Sequence, residues 1–491
     1  MSNQIYYPKA VVSCRPVLHD YGFQISQPKP FIVQPISCTV RKNSYSEADI
    51  FQVQMRFEDF PFDPRLIRSM LISVSIFDLK KLKDQSNFDL NQVREKAIIL
   101  GFTDMQSIEL DASGRTVSLE GRDYTSIFIE TKFDNANLAD AEGKRRRKIA
   151  LNRPLKTIIE ELMKNVPGSG GITIEDRTNG AVTNAEAATG GGYDLVTGKK
   201  STDGQFLYVQ KNETYWDVIQ SLCEQIGVIC YIELDKLVLT NPRILYHGES
   251  FSSKKVVPFI YGKNISRLNF HKNLARKKRF NLVLRSWNVK TNVPIEVSIP
   301  RDATTAWARE TNIEKAVQKI QTLDANGAQV TKDAPGFLFP YQNKTKEQLI
   351  TLGEKIFEEL VRQQLEGSFE TREMEVNDSQ GVEFDLTQLK TGTPILLEII
   401  QEDIQYITRK TEGGQNITDG KRVAYLIRRG YSKQTAQILV DAVAKTSGKI
   451  RPVFYLKGGE FQMASDGFTL RVDFVNYVEL GELSRGKVYS G

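Results

Sequence analysis

Strict period-two alternation near both ends of the chain limits its fold more than any other feature. From Ile50 to Phe57, the apolar residues Phe51, Val53, Met55 and Phe57 alternate with Gln52, Gln54 and Arg56. Near the C-terminus, Phe468, Leu470, Val472 and Phe474 alternate with Thr469, Arg471 and Asp473. Successive side chains of a strand point to opposite faces, so each run predicts a strand with one face on a core and the other in water. Further strand-like runs cover Leu71 to Leu79, Ala97 to Phe102, Ser107 to Leu110 and Thr116 to Leu119, with turns at Asp63-Pro64 and at Ala112-Ser113-Gly114. Short strands at this spacing favour a barrel or sandwich for the N-terminal region.

The pattern changes in the middle of the chain. Residues Asp134 to Lys148 are small and charged, ending in the basic run Lys144 to Lys148, and predict a linker at a domain boundary. A helix is expected at Pro154 to Lys164, with Leu155, Ile158, Ile159 and Leu162 on one face. A second begins at Thr214, where Asp217 three residues on suggests a capping box, Trp216, Ile219, Leu222, Cys223 and Ile226 form the apolar stripe, and Gly227 stops it. A hairpin follows, Val228 to Glu233 and Leu237 to Thr240, while Gly168 to Ser201, rich in Gly, Thr and Asn, reads as a long mobile loop.

After Pro258 the strands return, at Asn281 to Asn288 and Ile295 to Ile299. The longest helix is expected over Lys346 to Glu366, opened by Thr345 with Gln348 and closed by Gly367. It would be about 30 Å long. Strands resume from Gly381 through Ile400, and a helical pair, Lys421 to Arg429 and Lys433 to Ala444, precedes the final strand. The order is β, then α/β, then β with helical insertions, which predicts an α+β, β-rich fold. The length of 491 residues agrees with about three domains.

Composition narrows the function classes. Lys plus Arg (66) against Asp plus Glu (60) leaves +6, a weaker surplus than a dedicated DNA binder shows. No export signal opens the chain, and no run of 18 apolar residues without charge predicts a membrane helix, so a soluble chain without a membrane anchor is expected. Four cysteines, Cys14, Cys38, Cys223 and Cys230, are too few for a disulfide framework, and with only His19, His247 and His271 no metal-ligand spacing arises. Synthesis in a reducing cytoplasm fits.

The search for chemistry gives mostly negatives. Gly192 followed by Gly198-Lys199-Lys200-Ser201 has five residues between its glycines, and Lys200 separates Lys199 from the hydroxyl, so it fails the phosphate-loop spacing. No nucleophile elbow or zinc-protease helix occurs in a suitable context. Paired carboxylates for sugar cleavage could be assembled by folding without a sequence trace. The basic runs Lys144 to Lys148 and Arg276 to Arg279 lack the interleaved aromatics that stack bases, and read as solvated loops or charged interfaces. Trp216 and Trp287 sit in apolar patterns and are expected in cores, and Cys223 and Cys230 read as small buried hydrophobes. No catalytic, cofactor-binding or metal-binding residue is assigned, and no enzyme activity is expected.

The order of segments carries a family resemblance. Asn43 through Asp49 leading into Phe51 to Phe57, then Leu119-Glu120-Gly121-Arg122-Asp123-Tyr124 leading into Ile127 to Phe133, are two of its segments. The third is Lys211 to Asp217 with its helix and the hairpin to Leu239, and the fourth is Gly262 to Arg267 followed by Ala275-Arg276-Lys277 and the strand from Phe280. Together they resemble the baseplate hub proteins of contractile phage tails and injection machines, late control protein D and the N-terminal part of VgrG spikes. The resemblance implies two tail-tube-like β-barrels, at 1–133 and 261–491, with an α/β insertion domain at 134–260 and helical insertions at 345–366 and 421–446. It further implies a structural trimer that forms a quasi-six-fold ring joining a hexameric tail tube to a central spike. The implied partners are two more copies, a trimeric spike protein, tube or tube-initiator proteins, baseplate wedge proteins and a tape-measure protein, with DNA passing through the channel. The implied location is the virion tail baseplate, assembled in the host bacterial cytoplasm. The chain lacks a periodic β-helix tail after its last strand, so the spike is expected to be a separate protein. The alternative is a peptidoglycan-degrading, tail-associated lysin; a nucleic-acid-binding module is a weaker third reading.

Overall fold

The structure, a computed structural model, describes residues 7–18, 28–43, 47–61, 63–81, 88–111, 114–133, 148–150, 153–178, 182, 206–209, 212–225, 227–240, 257–261, 263–272, 281–288, 293–299, 319–323, 329–333, 336–342, 349, 352–353, 355–356, 365–377, 382–398, 411–412, 415–428, 433, 436–437, 440, 453–465 and 467–476. The basic run 276–279, the glycine-rich stretch 183–205 and the run 144–147 lie outside them, as do His19 and His247.

The N-terminal strands are β1 (Pro8–Leu18), β2 (Phe31–Val33), β3 (Ser37–Lys42), β4 (Ile50–Arg56) and β5 (Ile67–Asp78), followed by helix α1 (Leu90–Glu95), β6 (Ala97–Asp111), β7 (Gly114–Asp123) and α2 (Thr125–Glu130). On β4 the alternation acts as expected: Phe51, Val53 and Met55 are fully buried while Ile50, Gln52 and Arg56 face out. The two runs read separately at Ala97 to Phe102 and Ser107 to Leu110 are one strand, β6. Its register against β7 slips at Asp104, and that bulge interrupts the alternation in the sequence.

The middle region contains β8 (Lys148–Ala150), α3 (Leu155–Met163), β9 (Thr173–Arg177), β10 (Phe206–Tyr208), α4 (Tyr215–Gln225), β11 (Ile229–Glu233) and β12 (Lys236–Thr240). The Thr214 capping box forms: the Thr214 backbone N–H and hydroxyl donate to Asp217 Oδ2 at 2.9 and 2.8 Å, and the Asp217 N–H donates back to Thr214 Oγ1 at 3.2 Å. Gly227 takes φ +75° where α4 stops. The expected mobile loop at Gly168 to Ser201 needs correction at its start, because Thr173–Arg177 pairs in parallel with β12 as a strand. Pairing partners more than 60 positions away leave no local signal. The helices pack Phe128, Ile158, Ile159, Leu162, Trp216, Ile219 and Leu222 into one core with Leu237 and Leu239 of the hairpin, as the stripes predict.

The C-terminal part holds β13 (Val257–Ile260), β14 (Arg267–Lys272), β15 (Asn281–Asn288), β16 (Val293–Ile299), β17 (Lys319–Leu323), β18 (Gln329–Asp333), β19 (Gly336–Gln342), β20 (Leu365–Thr371), β21 (Glu375–Asn377), β22 (Glu383–Asp385), β23 (Pro394–Glu398), β24 (Thr411–Glu412), β25 (Gln415–Asn416), α5 (Asp419–Arg428), β26 (Val453–Ala464) and β27 (Gly467–Asn476). The helix expected over Lys346 to Glu366 is helical at Leu349, Leu352, Gly353, Lys355 and Ile356, but it ends before Leu365, where β20 begins. Gly367 is therefore not a helix stop. It is a strand glycine, and a Cβ there would lie 2.6 Å from the Phe474 ring and 2.2 Å from the Asn269 carbonyl oxygen. The later helical pair holds as α5 and helical positions at Lys433, Ala436, Gln437 and Val440, with Val423, Leu426, Ala436 and Val440 forming a small core of their own.

Strands from both ends of the chain belong to one 13-stranded sheet ordered β14-β20-β27-β26-β3-β4-β7-β6-β5-β1-β2, with β23 on the same edge of β26 as β3, on the other side of a bulge, and β13 beyond it. Among the described residues no closed barrel is found, and β26 joins the two β-rich regions by pairing β3 antiparallel from Gly459↔Lys42 to Met463↔Cys38. One hydrophobic core serves both, with Val12, Phe51, Val53 and Leu119 in the same cluster as Phe259, Phe369, Phe461 and Phe474. The sheet curls enough to bring β1 within 8 Å of β26, Cα to Cα, without pairing them.

Within that sheet one pairing order occurs twice. The N-terminal module runs β1-β5-β6-β7-β4-β3, and the C-terminal module runs β13-β23-β26-β27-β20-β14. Matched strands follow in the same chain order, and each module carries a helix before its last hairpin, α1 in one and α5 in the other. The final hairpins agree in detail. Each has a bulge at the same distance before the turn, at Asp104 and at Lys457, and each return strand starts on a glycine with positive φ, Gly114 at 147° and Gly467 at 111°.

Candidate functional site

Two features outside ordinary core packing are built by this duplicated sheet: a buried polar joint where its two modules meet the middle region, and a polar outer face that crosses the seam between them. The joint forms where the end of β3, the start of β4, the end of β7, the β11 strand and the segment after β22 converge. It is a small cavity of about 90 Å³ lined by Lys42, Asp49, Asp123, Tyr231, Glu233 and Lys390 among others. The Asp123 N–H donates to the Asp49 carbonyl at 3.0 Å. Asp123 Oδ1 accepts from the Thr125 N–H at 2.9 Å, and Asp49 Oδ1 accepts from the Asn43 N–H at 2.8 Å.

Burial dominates the electrostatics here. It pushes the Asp49 carboxyl up to about 6 against the pull of Lys42, and it pushes Asp123, which also feels the Asp49 charge, up to about 8. Burial lowers the Lys42 ammonium, with Asp49 and Glu233 opposing that shift. Burial would raise Glu233 as well, but Lys390 and Arg177 outweigh it and hold the carboxylate below its usual range.

Ion pairs extend from this joint. Glu233 accepts from Lys390 and, at 3.0 Å, from Arg177, which also donates to Glu175 at 2.7 Å. Arg177 and Lys236 lower Glu175 to about 2. Arg94 on α1 reaches Asp235 in the β11–β12 turn at 2.9 Å, and Lys96 reaches Asp385 at 3.3 Å. These contacts pin three parts of the chain together, which is the chemistry of a rigid joint.

The outer face of the sheet is different: its polar side chains lie in rows that cross the seam. One row reads Arg267, Glu370, Arg471, Glu460, Arg41, each directly opposite the next on adjacent strands, so charge alternates over five strands. The row two residues along reads Thr469, Gln462, Thr39, Gln52, Glu120, with Gln52 donating to Glu120 at 2.8 Å. Opposite charges facing each other across strands attract and cancel, leaving a hydrated face with little net field.

No sequence reading assigned site residues, so the joint was missed. Its signal was faint: Asp49 immediately precedes β4 and Asp123 ends β7, and only the fold brings them together. The four cysteines are free and buried, and burial pushes the Cys14 and Cys38 thiols up to about 12. Trp216 is buried as expected, and Trp287 lies on β15. His271 is exposed on β14, 3.2 Å from Asn269 Nδ2. Among the described residues no helix is long and apolar enough to cross a membrane, and no group of three His, Cys, Asp or Glu residues has metal-binding geometry.

No family model matches the chain, and no curated protein does. Among solved structures, the tail protein from Neisseria meningitidis MC58 aligns with 12% identity and a TM-score of 0.51 over 97% of this chain and 98% of its own, which shows a shared fold along the whole length. The 43 kDa tail protein of prophage MuSo2 from Shewanella oneidensis aligns at 0.48, with 12% identity over 96% and 98% of the two chains. The half-lidded PdpA-VgrG complex of Francisella aligns at 0.42, with 9% identity over 96% of this chain and 58% of its own.

Proposed function

We propose that this chain is a structural component of a contractile tail, the baseplate hub that as a trimer forms a quasi-six-fold ring between the hexameric tail tube and the central spike. The observation that carries this reading is the repeated pairing order of the sheet. A chain with two like modules placed side by side offers, in three copies, six like units to a six-fold neighbour. The fold shared with the Neisseria tail protein supports the same class. In this reading 1–133 and 261–491 are the tube-like domains and 134–260 is the insertion that the ionic joint locks against them. The alternately charged outer face lines the channel, where near-neutral rows let a passing polyanion slide without being gripped. The partners are two further copies, a trimeric spike, tube or tube-initiator proteins, wedge proteins and a tape-measure protein, in the tail baseplate of a virion assembled in the host cytoplasm.

The test is the mass of the purified protein by light scattering, alone and mixed with its neighbouring tail proteins. A species of three chains supports the ring, and a monomer in every mixture contradicts it.

The lysin alternative needs carboxylates in a cleft that admits a glycan. Among the buried carboxylates the Asp49 and Asp123 pair comes nearest, since carboxyls with separated, raised pKa values are what acid-base chemistry uses. Its cavity of about 90 Å³ is well below the roughly 300–1,000 Å³ of ligand pockets, which favours the mechanical reading. A zymogram on bacterial cell walls separates the two: clearing that is lost in Asp123→Asn would favour the lysin.

A further inference from the structure

In the C-terminal module the bulge at Lys457 releases β26 from β23, and beyond it the freed edge of β26 pairs with β3. The N-terminal module repeats the first half of that arrangement. β6 pairs β5 only up to Phe102, bulges at Asp104 and continues to Asp111 with β7 on one side. Among the described residues no strand pairs with its other edge there. At the far end of the sheet β14, the counterpart of β3, pairs β20 on one side and no described strand on the other.

We infer that the free edge of β6 pairs antiparallel with the free edge of β14 in a second copy of this chain, repeating the β26–β3 register. This rests on the ring reading above and adds its contact. Matching the hairpins bulge to bulge puts Ile108 at the position of Phe461 and Leu110 at that of Met463; matching β14 to β3 through their partners on β20 and β4 puts Phe270 at Val40 and Leu268 at Cys38. The internal pairs Phe461↔Val40 and Met463↔Cys38 then become Ile108↔Phe270 and Leu110↔Leu268 between copies. On the opposite face, Ser107 falls opposite His271 and Glu109 opposite Asn269, with Arg267 and His271 as its diagonal neighbours.

Exposure supports this independently. Where the seam exists, Phe461 is 2% exposed, Val40 0% and Cys38 2%. Where it would be remade, Leu110 is 70% exposed and Phe270 37%. Large apolar side chains left in water on two complementary open strand edges mark those edges for pairing. Glu109 diagonal to Arg267 adds attraction between the two unlike edges. Because the two edges differ, the contact is heterologous, head to tail, and closes into a ring when the rotation permits.

Paired cysteines test this. Directly opposite residues on antiparallel strands hold their Cβ atoms about 4.5–5.5 Å apart, and diagonal ones about 7–8 Å. Two in-register variants are needed, Leu110→Cys with Leu268→Cys and Ser107→Cys with His271→Cys. They differ by an odd number of positions, so one of them falls on the narrower type of pair. The off-register control is Leu110→Cys with Phe270→Cys. Ser107 and His271 are exposed, so that variant folds even if truncating Leu268 harms the core. After mild oxidation, at least one in-register variant should give cross-links between chains on a non-reducing gel, at least tenfold above the control. Particles that remain trimeric by light scattering but show no in-register cross-link, or as much in the control, would overturn the pairing and leave the ring intact. Absence of any assembly, alone or with neighbouring tail proteins, would remove the ring and the pairing with it.

Discussion

The two modules share a pairing order but not its execution, and the differences show what the fold requires. In the N-terminal module Phe51 on β4 lies opposite Gly121 on β7; in the C-terminal module Gly367 on β20 lies opposite Phe474 on β27. One ring and one missing side chain fill the same cross-strand site, with strands exchanged. The shared requirement is volume at the pair, and either strand can supply it. The modules also differ at their first strands, since β1 runs antiparallel to β5 while β13 runs parallel to β23. The five-strand core of each module tolerates either direction at that position.

The sharpest way to break the comparison is to add a side chain at each glycine. A Cβ on Gly121 would stand 2.0 Å from the Phe102 carbonyl oxygen and 2.5 Å from the Phe51 ring, and one on Gly367 meets backbone at 2.2 Å. Gly121→Val and Gly367→Val should both abolish cooperative folding, read as loss of soluble protein or of a sharp thermal transition. A stable Gly367→Val protein would show that the modules are not built alike. Next come Phe51→Ala and Phe474→Ala, both at fully buried rings, each expected to cost about 3–5 kcal/mol in urea denaturation. Because one core spans both modules, both variants should shift the same single transition. Two transitions, each moved by one variant, would mean that the modules fold apart.

Acid–base behaviour sharpens the picture at the joint. Asp49 and Asp123 have folded-state pKa values raised above the unfolded value, so the folded state binds more protons than the unfolded state between the two. Their contribution to stability is full below the unfolded pKa and is lost as pH rises through the folded values, so stability falls between pH 5 and pH 8. Thermal melts across that range should show the decline, and Asp123→Asn should flatten it. A smaller loss, about 1 kcal/mol, is expected for Thr214→Ala, which removes the α4 cap outside both modules. Smallest is Lys96→Ala, which breaks an exposed pair with Asp385 and should cost a few tenths of a kcal/mol, vanishing in high salt.

What the sequence revealed follows the range of the forces involved. Alternation marked β4 and β27, and the Thr214 box and Gly227 marked both ends of α4, because these signals act over a few residues. Gly367 was misread for the same reason: a glycine after an apolar helical pattern looks like a stop, and only Phe474, more than a hundred residues later, reveals it as the empty half of a cross-strand pair. The pairing of β26 with β3 and the meeting of Asp49 with Asp123 and Lys390 depend on contacts between distant segments. The duplication itself left no sequence repeat, since matched positions hold unlike residues such as Gln54 and Glu370 or Ser118 and Arg471.

Electron cryo-microscopy of the purified ring viewed down its axis tests the equivalence of the two modules most directly. The account predicts a six-fold peak in the rotational power spectrum of particles whose mass is that of three chains. Three-chain particles with three-fold power alone, or six-fold particles built from six chains, would contradict it.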